Sequence, residues 1–161
     1  MQKYAVFRIA GEVFGITISR VVEIIREQKI FTLPGLPEFL SGVMNVRGTI
    51  IPLIDLRKRF AMQPSGGKQR VIIIRYEQEK IGFLVDDIKD ILTLEKHEIV
   101  SPPSIFKGFR TEYLTGLGKK NDMIIILLNV DTILTSEEKI RLKETIGMIE
   151  GSDAGIDGKS G

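Results

Sequence analysis

The chain has no cysteine and no tryptophan, and His97 is its single histidine. Without thiols there are no disulfides and no thiolate metal sites, which fits a reducing compartment. One imidazole, with acidic residues that lack EF-hand spacing, leaves metal chemistry poorly supplied. Aromatic residues are only 7% of the chain, too few for the stacking platforms that single-stranded nucleic acid needs. Neither sign of charge dominates. The 23 basic and 21 acidic residues are interspersed and sum to +2, which is no nucleic-acid footprint. Long apolar runs are missing too. The longest nearly uncharged one, Met123 to Leu128, is far too short to span a bilayer. The start, "MQKYAVFRIAGEVFG", lacks the basic region, apolar run and small-residue cleavage site of a signal peptide. A cytoplasmic protein without direct membrane insertion is expected.

What is present is a core and a repeat. The 161 residues are 43% hydrophobic, enough for one or two small domains. "YAVFRIAGEVFGITISRVVEII" from Tyr4 lies without a gap over "VIIIRYEQEKIGFLVDDIKDIL" from Val71, 67 residues on. Arg8 then meets Arg75, Glu12 meets Glu79 and Gly15 meets Gly82. A second match, offset by 74, sets "GVMNVRGTIIPLIDL" from Gly42 against "GLGKKNDMIIILLNV" from Gly116, with Asp55 facing Asn129. Two related subdomains in tandem follow, mostly strand. Turns are expected at Ala10–Glu12, Gly48-Thr49, Glu77–Lys80 and Lys120–Asp122. Short strands at this spacing favour small barrels or sandwiches over a parallel sheet. The expected division is 1–62, a linker at 63–69, 70–134, a helix at 135–150 and a disordered tail at 151–161.

Three local features qualify this plan. Pro52 cannot donate to a ladder, so its strand is expected at an edge or bulged, leaving main-chain groups open to a partner. Ile18, Val21, Val22 and Ile25 fit one helical stripe with Ser19 as N-cap, although strand alternation fits residues 22–27 about as well. Thr135 and Glu138 form a capping box ahead of the stripe Leu142, Ile146 and Ile149.

The search for chemistry finds no active site. His97 stands among Glu95, Lys96 and Glu98, and no serine has the surroundings of an activated nucleophile. "GLGKK" is a poor phosphate loop, since Tyr113 replaces its first glycine and Lys120 stands where Ser or Thr should be. Asp86-Asp87 reads as a cap or a solvated turn, because no third acid or base stands near. The cluster Arg57-Lys58-Arg59 reads as a solvated surface turn.

"GVMNVRGTIIPLIDLRKRF", "IGFLVDDIKDIL" and "TEYLTGLGKKNDMIIILLNVDTIL" closely resemble the CheW family of bacterial chemotaxis coupling proteins, with Asn45-x-Arg47-Gly48 the most specific piece. The resemblance runs from about Tyr4 to Ile149. It implies a mainly β fold: two tandem SH3-like five-stranded barrels around a shared apolar core, with a short helix in the first half and a C-terminal α-helix. It implies an adaptor with no catalytic residue and no cofactor. One surface would bind the regulatory domain of the histidine kinase CheA, and another the cytoplasmic tip of a chemoreceptor, at membrane-associated arrays. The matching receptor-binding positions are Val21, Glu23, Ile24, Arg47, Val71, Gly82 and Ile91, and the kinase-binding positions are Gly42, Gly48 and Ile88. Two roles stay open for Arg47: a planar fork for a partner's carboxylate, or an internal ion pair bracing two hairpins, with Glu23 one candidate to pair with and orient it. The competing class is a binding module of another two-component system.

Overall fold

The computed structural model describes residues 1–63, 66–67, 69–102 and 111–160, with 111 and 151–160 described by backbone only. The first half holds β1 (Gln2–Ile9), β2 (Glu12–Thr17), β3 (Val21–Arg26), β4 (Ile30–Phe31), β5 (Gly42–Val46), β6 (Thr49–Asp55) and a short helix, α1 (Leu56–Arg59). The second holds β7 (Arg70–Tyr76), β8 (Glu79–Val85), β9 (Asp87–Leu94), β10 (Ile99–Val100), β11 (Leu114–Lys120), β12 (Met123–Leu128) and the helix α2 (Ser136–Ser160). The expected disordered tail, 151–161, falls outside the residues whose side chains are described.

The hairpins turn where the chain can take a positive φ. Ala10 and Gly11 stand at φ 52° and 84°, Arg47 and Gly48 at 49° and 89°, and Asn121 and Asp122 at 53° and 61°. Such pairs match the right-handed twist of the flanking strands. The second hairpin therefore turns at Arg47-Gly48, one residue earlier than the glycine alone suggests. Asn45 fixes it, its Oδ1 accepting the Gly48 N–H at 2.8 Å.

The strands form two six-stranded sheets among the described residues, ordered β10-β11-β12-β2-β1-β9 and β3-β7-β8-β6-β5-β4. The sixth strand of each, β10 or β4, is only two residues long. Neither sheet is drawn from one half. β3 pairs with β7 rather than β1, and β9 with β1 rather than β7. β12 enters in parallel beside β2, and β6 beside β8. The twinned halves thus exchange strands, and a division at 63–69 does not separate the sheets.

Two local readings change. The stripe from Ile18 to Ile25 is a 3-10 turn, Ile18–Arg20, followed by strand β3; Ser19 caps nothing, because the N-cap position is Thr17. Pro52 lies on an inner strand, with β5 on one side and β8 on the other. Counted from the closing pair Val46↔Thr49, the pair Val43↔Pro52 exchanges no hydrogen bonds, and pairing to β8 starts only at Leu53. The missing N–H therefore costs no ladder bond.

One apolar core joins the sheets. It contains Phe7, Phe14, Ile54, Ile72, Phe83, Leu117, Ile126 and Leu142. The rings of Phe7, Phe14, Phe60 and Tyr113 run through it at centroid spacings of 6.1, 5.7 and 5.3 Å. Alternate residues bury in a cluster private to each sheet: Met44, Leu53, Val71 and Ile73 in one, Val6, Leu94, Ile125 and Leu127 in the other. An inner strand such as β7 is thus apolar on both faces, which explains its run "VIII". The capping box closes as expected, with the Thr135 N–H donating to Glu138 Oε1 at 2.9 Å and the Glu138 N–H to Thr135 Oγ1 at 3.1 Å. Leu142 and Ile146 on α2 are buried.

Candidate functional site

Val21, Glu23 and Ile24 lie on β3, an edge strand, and all are half-buried. Val21 and Ile24 rest against the shared core. Arg47 stands on the β5–β6 turn with 70% of its side chain exposed, and its Nη2 donates to Glu23 Oε1. In the ladder β3 is separated from β5 by β7, β8 and β6. Contact between Glu23 and Arg47 therefore means that the sheet rolls until the hairpin tip reaches its far edge. The internal ion pair is real, and it leaves a fork of five donors mostly uncommitted at the surface. An exposed pair of this kind adds at most ~1 kcal/mol to stability. Its effect is geometric: Glu23 ties the hairpin tip and its guanidinium to β3.

The other expected positions part company with this patch. Val71 is wholly buried in the cluster of its own sheet, because alternation turns it inward on β7. Gly82 is buried beneath it; a Cβ there would stand 2.9 Å from Val71 Cγ1 and 2.7 Å from Leu53 Cδ2. Both belong to the interior of their sheet. Ile91 is 54% exposed, on β9 at the edge of the other sheet. Of the expected kinase-side positions, Gly48 is exposed, Ile88 is half-buried against the shared core, and Gly42 is buried. Gly42 has φ 148°, and a Cβ would meet the Phe31 carbonyl oxygen at 2.7 Å, so it shapes the strand instead of offering a surface.

Buried charge lies elsewhere. Arg57 is no solvated turn residue: its Nε and Nη2 grip the two oxygens of Asp55 at 2.9 and 3.1 Å, and its Nη1 meets Asp86 Oδ1 at 3.1 Å. Asp86 Oδ2 in turn accepts the Ala10 N–H at 2.6 Å. The hydrogen bond that Arg57 donates to Asp55 raises the Arg57 pKa, against desolvation that lowers it. Arg59 is likewise held, by Glu138 and the Ile133 carbonyl, leaving only Lys58 of the three exposed. Burial pushes the Glu138 carboxyl up, but Arg59 and the Thr135 N–H together hold it below its usual range. Burial drives the Tyr76 phenol up to about 12. Asp86 is neither a helix cap nor a solvated turn residue but a buried acid. Its pairing with Arg57, like that of Arg59 with Glu138, was not legible because the partners lie far apart in sequence.

His97 is exposed in a 3-10 turn, Lys96–Glu98. Among the described residues no group of three or more His, Cys, Asp or Glu could hold a metal ion, and no helix is long and apolar enough to cross a membrane. The chemistry on offer is recognition: apolar side chains, one aimed guanidinium and one carboxylate.

Comparison with known proteins agrees with that character. The family model described as "CheW-like domain" matches residues 3–138. A chemotaxis protein CheW of Klebsiella aerogenes is 36% identical over 139 residues, which is 85% of this chain and 84% of that protein. The chemotaxis protein CheW of Bacillus subtilis is 29% identical, covering 84% of this chain and 88% of its own. Among solved structures, the scaffolding protein TtCheW of Thermoanaerobacter tengcongensis superposes with a TM-score of 0.76 at 32% identity, over 83% of this chain and 88% of that one. On motif, fold and this breadth of similarity, the chain belongs to the CheW-like domain family.

Proposed function

We propose that this protein is a non-catalytic chemotaxis adaptor that couples the cytoplasmic tip of a chemoreceptor to the histidine kinase CheA. The observation that carries this reading is the Glu23–Arg47 pair on the rolled edge of one sheet, between Val21 and Ile24. A helical receptor tip needs apolar anchors and a few orienting polar groups, and these four residues supply both. Ile91 on the other sheet is a second apolar contact, while Val71 and Gly82 support β3 from beneath. The kinase meets the exposed turn at Gly48 and the neighbourhood of Ile88, with Gly42 holding the strand that presents the turn. The protein works in the cytoplasm, recruited to receptor arrays at the membrane.

Such an adaptor breaks no bonds. It holds receptor and kinase together, and a coupling of ~1–3 kcal/mol between their states changes output several-fold or more. The test is sedimentation of the purified protein with a receptor cytoplasmic fragment and the kinase. A ternary complex is the expected result. Absence of any complex contradicts the adaptor reading.

A further inference from the structure

The internal repeat extends to the links between the sheets, and there the two copies differ. The chain changes sheet at the Ile18–Arg20 turn, between β2 and β3, and at Asp86, between β8 and β9. Each crossover is tied to the segment after a strand that enters in parallel. After β6, Arg57 holds Asp86 at 3.1 Å, and the Asp86 N–H donates to the Arg8 carbonyl at 3.0 Å. After β12, Asp131 receives Arg20 Nη1 and Nη2 at 3.2 and 3.0 Å, and Arg20 Nε donates to the Arg75 carbonyl at 3.0 Å. The repeat offsets of 74 and 67 place Arg57 on Asp131 and Arg8 on Arg75, while Asp86 falls on Ser19, beside Arg20. Even the caps match: Asp55 accepts the Arg57 N–H at 2.9 Å, and Asn129 accepts the Asp131 N–H at 3.0 Å.

The charges are inverted between the copies, and so is their exposure. The side chains of Arg57 and Asp86 are 9% and 7% exposed, those of Arg20 and Asp131 26% and 63%. Opening the buried link strands a charge in the interior. Opening the exposed one returns both groups to water.

We propose that Arg20 is a positioning residue for the partner patch: through its clasp on Asp131 it sets where Val21, Glu23 and Ile24 stand relative to the sheet that carries Ile91. The inference rests on the receptor reading above. Arg20 immediately precedes the first residue of β3. It grips the main chain of β7, which is the ladder neighbour of β3, and a carboxylate following β12 of the opposite sheet. A bidentate fork with a third donor committed fixes direction as well as distance. One side chain thereby ties the start of the patch to both sheets, at a joint that can open without unfolding either.

The absence of cysteine permits two unambiguous spin labels, Arg26→Cys at the end of β3 and Lys89→Cys on β9, both at exposed positions. Distances between them are read by pulsed dipolar spectroscopy, and affinity for a receptor cytoplasmic fragment by titration. Arg20→Gln and Asp131→Asn are each expected to keep a cooperative melt, broaden the label distribution and weaken receptor binding about fivefold or more. The exchange Arg20→Asp with Asp131→Arg is expected to narrow the distribution and recover affinity. An unchanged distribution, or unchanged affinity, in Arg20→Gln overturns the positioning role. Wild-type protein that holds no receptor fragment overturns the adaptor reading, and the positioning role with it, whatever the label distances show.

Discussion

Arg57 and Asp86 lie 3.1 Å apart on the seam between the two sheets, each with less than a tenth of its side chain exposed. Asp86 also receives the Ala10 N–H, so one carboxylate ties the β1–β2 turn of one sheet to α1, which follows β6 of the other. Asp86→Ala leaves Arg57 with Asp55 and Gln69 and orphans that N–H. A loss of about 3 kcal/mol or more is expected, the range for half of a buried pair. Urea unfolding measures it, as a lower midpoint at unchanged slope.

Gly82→Ala separates interior from interface. The added Cβ would stand 2.7 Å from Leu53 Cδ2 and 2.9 Å from Val71 Cγ1, both ends of side chains that can shift somewhat. Destabilisation of about 1–3 kcal/mol is expected from overpacking. If Gly82 supports β3 from beneath, conditions that keep the variant folded leave most of its receptor affinity. A variant with an unchanged melt and no binding would return Gly82 to the contact surface.

Arg47 occupies the left-handed region at φ 49°, where a side chain costs about 1 kcal/mol or more. Asn followed by Gly is the favoured pair for this two-residue turn. Arg47→Asn relieves strain and gives up one exposed ion pair, so its thermal midpoint is expected to stay level or rise. Receptor binding is expected to fall. Calorimetry and titration on one preparation decide between that outcome and a purely structural arginine, which loses stability and keeps binding.

Glu138 links acid stability to the base of α2. Its folded pKa is lowered from the ordinary 4.5, so the bound carboxylate stabilises the fold above that pH. The contribution is lost as pH falls through the lower, folded value. Glu138→Gln is expected to melt earlier than wild type at neutral pH, with the gap closing below 4.5. A gap independent of pH assigns the loss to the capping hydrogen bond instead of the charge.

How far these features were legible follows from their range along the chain. The capping box at Thr135–Glu138 needs three residues and one rule, and it closes as read. The hairpins follow from alternation and turn residues, and Arg47-Gly48 moved by one because Asn45, not composition, pins the turn. β3 resisted because Val21 to Ile25 are all half-buried, so neither period of burial stands out. The exchange of strands between halves is a choice of partner, and β1 and β7 are near copies that present similar edges. The buried arginines were unreadable for the same reason: Asp86 and Glu138 are 29 and 79 positions from Arg57 and Arg59. Resemblance supplied the site positions, and the fold shows Val71 and Gly82 buried among them while Arg47, Gly48 and Ile91 are exposed.

The most direct test of the adaptor account is an amide map of the isotopically labelled protein as a receptor cytoplasmic fragment is added. Perturbations are expected along Val21–Arg26 and at Arg47 and Gly48, with a lesser set at Ile91, and their loss in Arg47→Glu at an unchanged melt. Perturbations confined to surfaces away from β3 and the Arg47 turn, or none at all, contradict it.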